Sequence, residues 1–320
     1  MSYGLSMQAS LWPSDDPVLS AADYQHRAAA IRPALTALMK QERLNHVLLE
    51  PLCRAYLPLA AWMRREKPAG RALLVGVNGA QGAGKSTLTA FVKLILQESF
   101  GLRVAAFSID DLYRPHAERE QLAHDVHPLL ATRGVPGTHD AEWGVRLLEE
   151  LRGDAGKPVI IPSFDKSGDD RKPQMEWQIV AQPVDVVILE GWCVGARPQT
   201  EPELDQPINE LEQREDADGV WRRFVNQQLA GDYARWFAML DRLVMLKVPD
   251  MASVYEWRSL QEDKMAANDA RRIMDSSGLK RFIMHYERLT RHMLDEIPER
   301  ADVVMYLNEH HQFTSIHLNP

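Results

Sequence analysis

Apolar residues in this chain gather into short continuous runs, separated by longer stretches in which they recur at helical spacing. Ala72 to Val77 (ALLVGV) is such a run and ends in a glycine-rich loop, which predicts a buried strand. Beyond the loop, Leu88, Phe91, Val92 and Ile95 fall at i, i+3, i+4 and i+7, one face of an amphipathic helix. Arg103 to Ile109, Val184 to Leu189 (VDVVIL), Arg242 to Val248 (RLVMLKV) and Asp302 to Leu307 (DVVMYL) read as further buried strands. Strands separated by helical stretches predict an α/β fold with a mostly parallel sheet covered on both faces.

Upstream, from about Ala22 to Arg65, the positions of Ile31, Leu35, Leu38, Leu44, Leu48 and Leu52 predict helices. Pro33, Pro51 and Pro58 should break or kink them. A polar stretch, Arg64 to Gly70, divides the chain into an N-terminal helical segment, 1–67, and an α/β domain, 68–320. Two regions interrupt the alternation. Tyr113 to Pro183 is rich in Pro, Gly, His and Asp and too long for a plain loop, so 112–183 reads as a substrate-binding excursion. Gln199 to Asp218 carries eight acids and reads as a solvated surface excursion.

Hydrophobic residues make up 45% and charged residues 26% of the 320, the balance of a soluble globular protein with a sizeable core. The net charge of -8 argues against nucleic acid or an anionic membrane as partner. Cys53 and Cys193 form no Cys-x-x-Cys pair, which argues against a disulfide framework or thiolate zinc site. Met1 to Asp16 lacks the pattern of a signal peptide, and no apolar run is long enough for a membrane helix. A cytoplasmic protein, monomer or homodimer, is expected.

The chemistry begins in the loop after the first strand. Gly79-Ala80-Gln81-Gly82-Ala83-Gly84-Lys85-Ser86, followed by Thr87, matches the phosphate-binding pattern G-x-x-x-x-G-K-[ST] in full, between a predicted strand and a predicted helix. Its glycines let successive N–H groups turn towards phosphate oxygens, and the following helix presents its positive end to the same anion. Lys85 is expected to reach the β- and γ-phosphates of ATP, and the Ser86 hydroxyl to ligate Mg2+.

Two further strands end in acids where a parallel sheet binds its ligands. One continues into Asp110-Asp111-Leu112-Tyr113 and the other into Glu190-Gly191-Trp192. Such acids can hold magnesium or accept a proton from an attacking hydroxyl. Asp111 is a candidate for acceptor contact or for a helix cap.

Together GAQGAGKST, SIDDLY, RGVPGTHD, IPSFDKS, ILEGW and VYEWRSLQE resemble the plant-type D-glycerate 3-kinases and their microbial relatives, from about Arg71 to Asn308. More distantly the chain resembles uridine kinase, pantothenate kinase and phosphoribulokinase. The resemblance implies a five-stranded parallel sheet of the P-loop kinase type and a lid and helical region at 250–290. It implies Asp110 as the base for the acceptor hydroxyl and a metal neighbour, Glu190 as the Walker-B-like acid beside magnesium, and Arg258 as a lid cation over the phosphates. Leu112 departs from the family, which usually has Phe there.

On the acceptor side, Arg133 and His139 in RGVPGTHD are candidate substrate contacts, while Asp140 before Trp143, Leu147, Leu148 and Leu151 reads as a helix cap. After the strand-like Pro158 to Pro162, Lys166 and Arg171 could bind a carboxylate or phosphate. Tyr286 and Arg288 could face the cleft or pack internally, and the strand end at Leu307 to His310 is a candidate adenine contact. The acceptor favoured is glycerate; another hydroxy acid, a nucleoside or pantothenate are alternatives within the same class. A P-loop switch is less consistent with the chain, which has neither an Asn-Lys-x-Asp segment nor an LSGGQ signature.

Overall fold

A computed structural model describes residues 10–41, 52–153, 156–266 and 276–319. Leu44, Leu48 and Pro51 of the predicted N-terminal helices, and residues 267–275 of the predicted lid, lie outside the described residues. The strands are β1 (Leu73–Gly79), β2 (Val104–Ser108), β3 (Val159–Ile161), β4 (Phe164–Asp165) and β5 (Asp170–Arg171). They continue with β6 (Gln178–Val180), β7 (Val186–Gly191), β8 (Arg242–Lys247), β9 (Val303–Leu307) and β10 (Phe313–Leu318). The helices are α1 (Ala21–Gln41), α2 (Leu57–Glu66), α3 (Lys85–Phe100), α4 (His116–Asp125) and α5 (Ala141–Arg152). After these come α6 (Glu210–Glu215), α7 (Val220–Ala230), α8 (Asp232–Phe237), α9 (Met251–Ala266) and α10 (Ser276–Glu296).

The five strands read from apolar runs form a parallel array ordered β9-β8-β1-β7-β2. A sixth strand, β10, adds to β9 in antiparallel sense and closes one edge. Its alternation of buried Phe313 and Ile316 with outward polar residues is the weaker signal of a half-covered edge strand. Along β1, Leu73, Val75 and Val77 face a core formed with α1, α2, α3 and α9, while Leu74 faces one formed with α5, α7, α8 and α10. Burial on both faces is why these strands are apolar throughout.

Leu88, Phe91, Val92 and Ile95 of α3 are all buried against the first of these cores. Ala28, Ile31, Leu35 and Met39 of α1 join the same core. Pro33 lies inside α1 without ending it, so of the break or kink expected there the break does not occur. A proline inside a helix costs about 3 kcal/mol, and the buried apolar face on the same helix offsets that loss. Pro58 sits in the first turn of α2, where a missing N–H costs nothing.

The acidic stretch is only partly solvated. Glu212 and Asp216 are buried, Glu212 paired with Arg288 at 2.6 Å and Asp216 with Arg222 at 2.9 Å. A carboxylate leaves water only with a partner: Arg288 reaches Glu212 from the distant α10, while Arg222 lies just six residues beyond Asp216, in the first turn of α7. Arg288 also donates to the Glu203 and Gln206 carbonyls, so it packs internally rather than facing the cleft.

Gly144 marks the closest approach of α5 to α8. A Cβ there would lie 2.3 Å from Cε2 of the fully buried Trp236. In an open helix, Gly→Ala adds about 1 kcal/mol of stability. Here the sign should reverse, with Gly144→Ala destabilising by about 1–3 kcal/mol through overpacking. Urea unfolding reads this directly, and a midpoint equal to or above wild type would contradict the contact.

Candidate functional site

The loop between β1 and α3 wraps tightly enough to need two glycines with positive φ. Gly84 precedes α3 at φ +90, and Gly82, at φ +81, leaves only 3.0 Å between a hypothetical Cβ and that of Trp257. The amino end of the 16-residue α3 is therefore aimed into the loop. Lys85 Nζ donates to the Ala80 carbonyl at 3.0 Å. Burial pushes its ammonium below the ordinary lysine range, against the opposing pull of Glu190 and Asp110.

Strand register brings the acids to this loop. β7 lies between β1 and β2, with Glu190 level with Val77 on one side and Ser108 on the other. The Ser86 hydroxyl donates to Glu190 Oε1 at 2.9 Å. A hydroxyl and a carboxylate beside a phosphate loop suit Mg2+, which takes hard oxygen ligands, commonly one or two carboxylates besides phosphates. Asp110 follows β2, in the short turn whose first N–H bonds Ser108 Oγ accepts. Burial pushes the Asp110 carboxyl up, but the Lys166 ammonium 2.6 Å away outweighs it and holds the group below the usual carboxylate range.

Asp111 has a different task. Its Oδ2 accepts from the Ser108 N–H at 3.0 Å and closes a capping box. It also accepts from the Phe164 N–H, which attaches the β4–β5 hairpin to the end of β2. Burial raises its pKa despite those bonds. The geometry thus gives Asp111 the cap reading and leaves its carboxylate engaged with backbone.

The excursion packs around Asp110. Lys166, on the β4–β5 hairpin, points its ammonium at that acid, yet its side chain is 62% exposed, so it can leave the pair without unpacking the core. Arg133 is drawn to the same hairpin, pairing with Asp169 and donating to the Lys166 carbonyl. Arg171 turns to structure instead: Nε donates to the Tyr113 carbonyl, and the guanidinium lies over the Trp143 ring. Asp140 caps α5 as expected, accepting from the Trp143 N–H at 3.0 Å. His139 is buried and stacked on Tyr113 at 4.3 Å, and the Tyr113 hydroxyl is within hydrogen-bond reach of Asp110. Burial drives the His139 pKa down to about 3, so the ring is neutral and cannot clamp a carboxylate as a cation.

Asn78 and His311 carried no sequence signal. Asn78, at the end of β1, is buried and donates to the Trp192 and Val194 carbonyls, bracing the turn after Glu190. Trp192 Nε1 donates to the Gly134 carbonyl, and the Tyr286 hydroxyl to that of Arg133, so the excursion is bolted to the sheet end. On the opposite side of the loop, Arg258 in α9 lies with its guanidinium over Phe282 and its amide near Gly82. His311 stacks on Trp257 at 3.6 Å and bonds the Gly82 carbonyl at 2.7 Å, just beyond the strand end singled out for adenine. Among the described residues, no helix is long and apolar enough to cross a membrane.

No family model matches the chain. It is similar to the uncharacterized kinase mug58 of Schizosaccharomyces pombe, 34% identical over 237 residues that cover 70% of this chain and 81% of that protein. The chloroplastic D-glycerate 3-kinase of Arabidopsis thaliana is 28% identical over 222 residues, 67% of this chain. The chain spans just under half, 46%, of that plant protein. Among solved structures it is similar to the D-glycerate 3-kinase of Cryptococcus neoformans var. grubii, with a TM-score of 0.68 and 27% identity over 82% of this chain and 96% of that one.

Proposed function

The chain belongs to the P-loop kinase family that contains the plant-type D-glycerate 3-kinases and their microbial relatives, and from this we propose that it transfers the γ-phosphate of ATP to a hydroxyl of D-glycerate. The observation that carries the reading is the register of β1, β7 and β2. It gathers the phosphate loop, Glu190 and Asp110 at one sheet edge. A protein that only bound nucleotide would have no use for Asp110 and its lysine partner.

Each residue then has a task. ATP with Mg2+ supplies the transferable phosphoryl group. Lys85 leaves the Ala80 carbonyl to grip the β- and γ-phosphates, and the loop N–H groups hold them from below. Ser86, Glu190 and Asp110 would hold Mg2+, which would offset charge on the phosphates. Asp110 orients the acceptor hydroxyl in line with the γ-phosphorus and takes its proton. As the new oxygen–phosphorus bond forms, the bond to the β–γ bridging oxygen breaks and ADP departs. Lys166, within reach of the same subsite, meets the acceptor carboxylate, and Arg258 covers the charge that spreads over the transferring group.

ATP consumption with and without D-glycerate tests the proposal. Glycerate should raise the rate by an order of magnitude or more over slow background hydrolysis, and the product should be a phosphoglycerate. Equal slow hydrolysis with glycerate, other hydroxy acids, nucleosides and pantothenate would instead favour a nucleotide-dependent switch.

A further inference from the structure

Of the two ring nitrogens of His139, one meets a partner and the other meets none among the described residues. Nδ1 lies 2.6 Å from the Tyr233 hydroxyl, and both residues are buried. The other nitrogen, Nε2, is also buried and, among the described residues, has no hydrogen-bond partner. An unmet buried donor costs about 1–3 kcal/mol, a loss that a bound ligand would repair.

Counting the bonds on Tyr233 settles which nitrogen bears the proton. Its oxygen accepts from the Gly137 N–H at 3.1 Å, and the His139 backbone N–H also reaches it. With its lone pairs facing backbone donors, the hydroxyl has its own proton left to give, and His139 Nδ1 is the acceptor on hand. Burial holds the phenol well above its ordinary range, so the proton stays on it. An imidazole that accepts at Nδ1 and is neutral carries its hydrogen on Nε2.

We propose that Tyr233 is a positioning residue that locks His139 in the Nε2–H tautomer, so that a neutral donor is offered to an oxygen of the acceptor in the subsite beside Asp110. This rests on the phosphotransfer reading for the identity of the ligand, though not for the tautomer. A neutral donor suits that place. A second fixed cation beside Lys166 would draw the Asp110 carboxylate away from the hydroxyl it must deprotonate, whereas an N–H binds an acceptor oxygen without doing so. Tyr233 comes from α8, far from His139 in sequence, and its ring packs against those of Trp236 and Phe237. The donor's orientation is therefore held by the core rather than by the excursion itself.

The test joins spectroscopy to kinetics. Protein labelled with nitrogen-15 in its histidines should show His139, assigned by its loss in His139→Gln, with a protonated Nε2 and a bare Nδ1 at neutral pH. In Tyr233→Phe that pattern should give way to a mixture of tautomers. The same variant should raise the KM for D-glycerate about tenfold, leaving the KM for ATP unchanged. His139→Gln keeps an amide donor near the Nε2 position and should retain most acceptor binding; in its background Tyr233→Phe should add little. A wild-type His139 protonated on Nδ1, or charged, would overturn the inference. So would a Tyr233→Phe enzyme with lowered stability but an unaltered glycerate KM. If glycerate is not turned over at all, the substrate reading fails, and the tautomer spectrum still decides this one.

Discussion

Lys85→Ala is expected to reduce kcat/KM by about 10³-fold or more while moving the thermal midpoint little. The two parts of that expectation have different causes. Lys85 donates to one loop carbonyl, Ala80, and its ammonium is held in a buried position that penalises charge. Removing it takes away an unfavourably buried cation along with a single neutral hydrogen bond, so the folded state loses little. The transition state loses much more, because charge on the transferring phosphoryl group grows in a site where water cannot replace the missing cation. Single-turnover phosphoryl transfer and a thermal melt, made on the same preparation, check both halves. A variant with near-wild-type turnover would remove Lys85 from the phosphate site; one that fails to fold would show that the lysine supports the loop itself.

Asp110→Asn should cost about 10²–10⁴-fold in kcat, the range for loss of a general base. The change is nearly isosteric, and the backbone bond from the Asp110 N–H to Ser108 Oγ is kept, so the turn after β2 should survive. What goes is the carboxylate proposed as the proton acceptor, together with its 2.6 Å pair to Lys166. Comparing kcat with the affinity for magnesium nucleotide separates the two roles offered to this acid. A drop in kcat with nucleotide affinity kept assigns it to the acceptor hydroxyl. An equal drop in both assigns it to the metal, and near-normal phosphorylation excludes it from the base role.

Lys85, Ser86 and Glu190 could be proposed from the sequence because local order carries their signal. The loop's donors, its lysine and its hydroxyl lie within a single short segment, and the strand ends announce their acids by the apolar runs before them. Arg171, Arg133 and Asp111 were harder. Each has the charge a substrate site needs, yet Arg171 holds a backbone carbonyl and Asp111 a capping box, while Arg133 anchors the hairpin bearing Lys166. For Asp111 the cap was one of two local readings, whereas nothing local marks Arg171 and Arg133 as groups spent on structure, because their partners lie far along the chain. Asn78, Tyr233 and His311 gave no signal for the same reason, since their partners lie elsewhere in the chain.

Five parallel strands, the amphipathic face of α3 and a complete phosphate loop were written into the order of the residues, because burial on two faces and anion binding by adjacent amides each impose a pattern over a few neighbouring positions. Which acids and cations gather beside the phosphate loop and which are paired away from it came from folding, as did the antiparallel edge strand and the continuity of α1 through Pro33. Charge pairing depends on distance in space. Here the register of β1, β7 and β2 brings Lys85, Glu190 and Asp110 together while Glu212 and Asp216 are buried against arginines elsewhere.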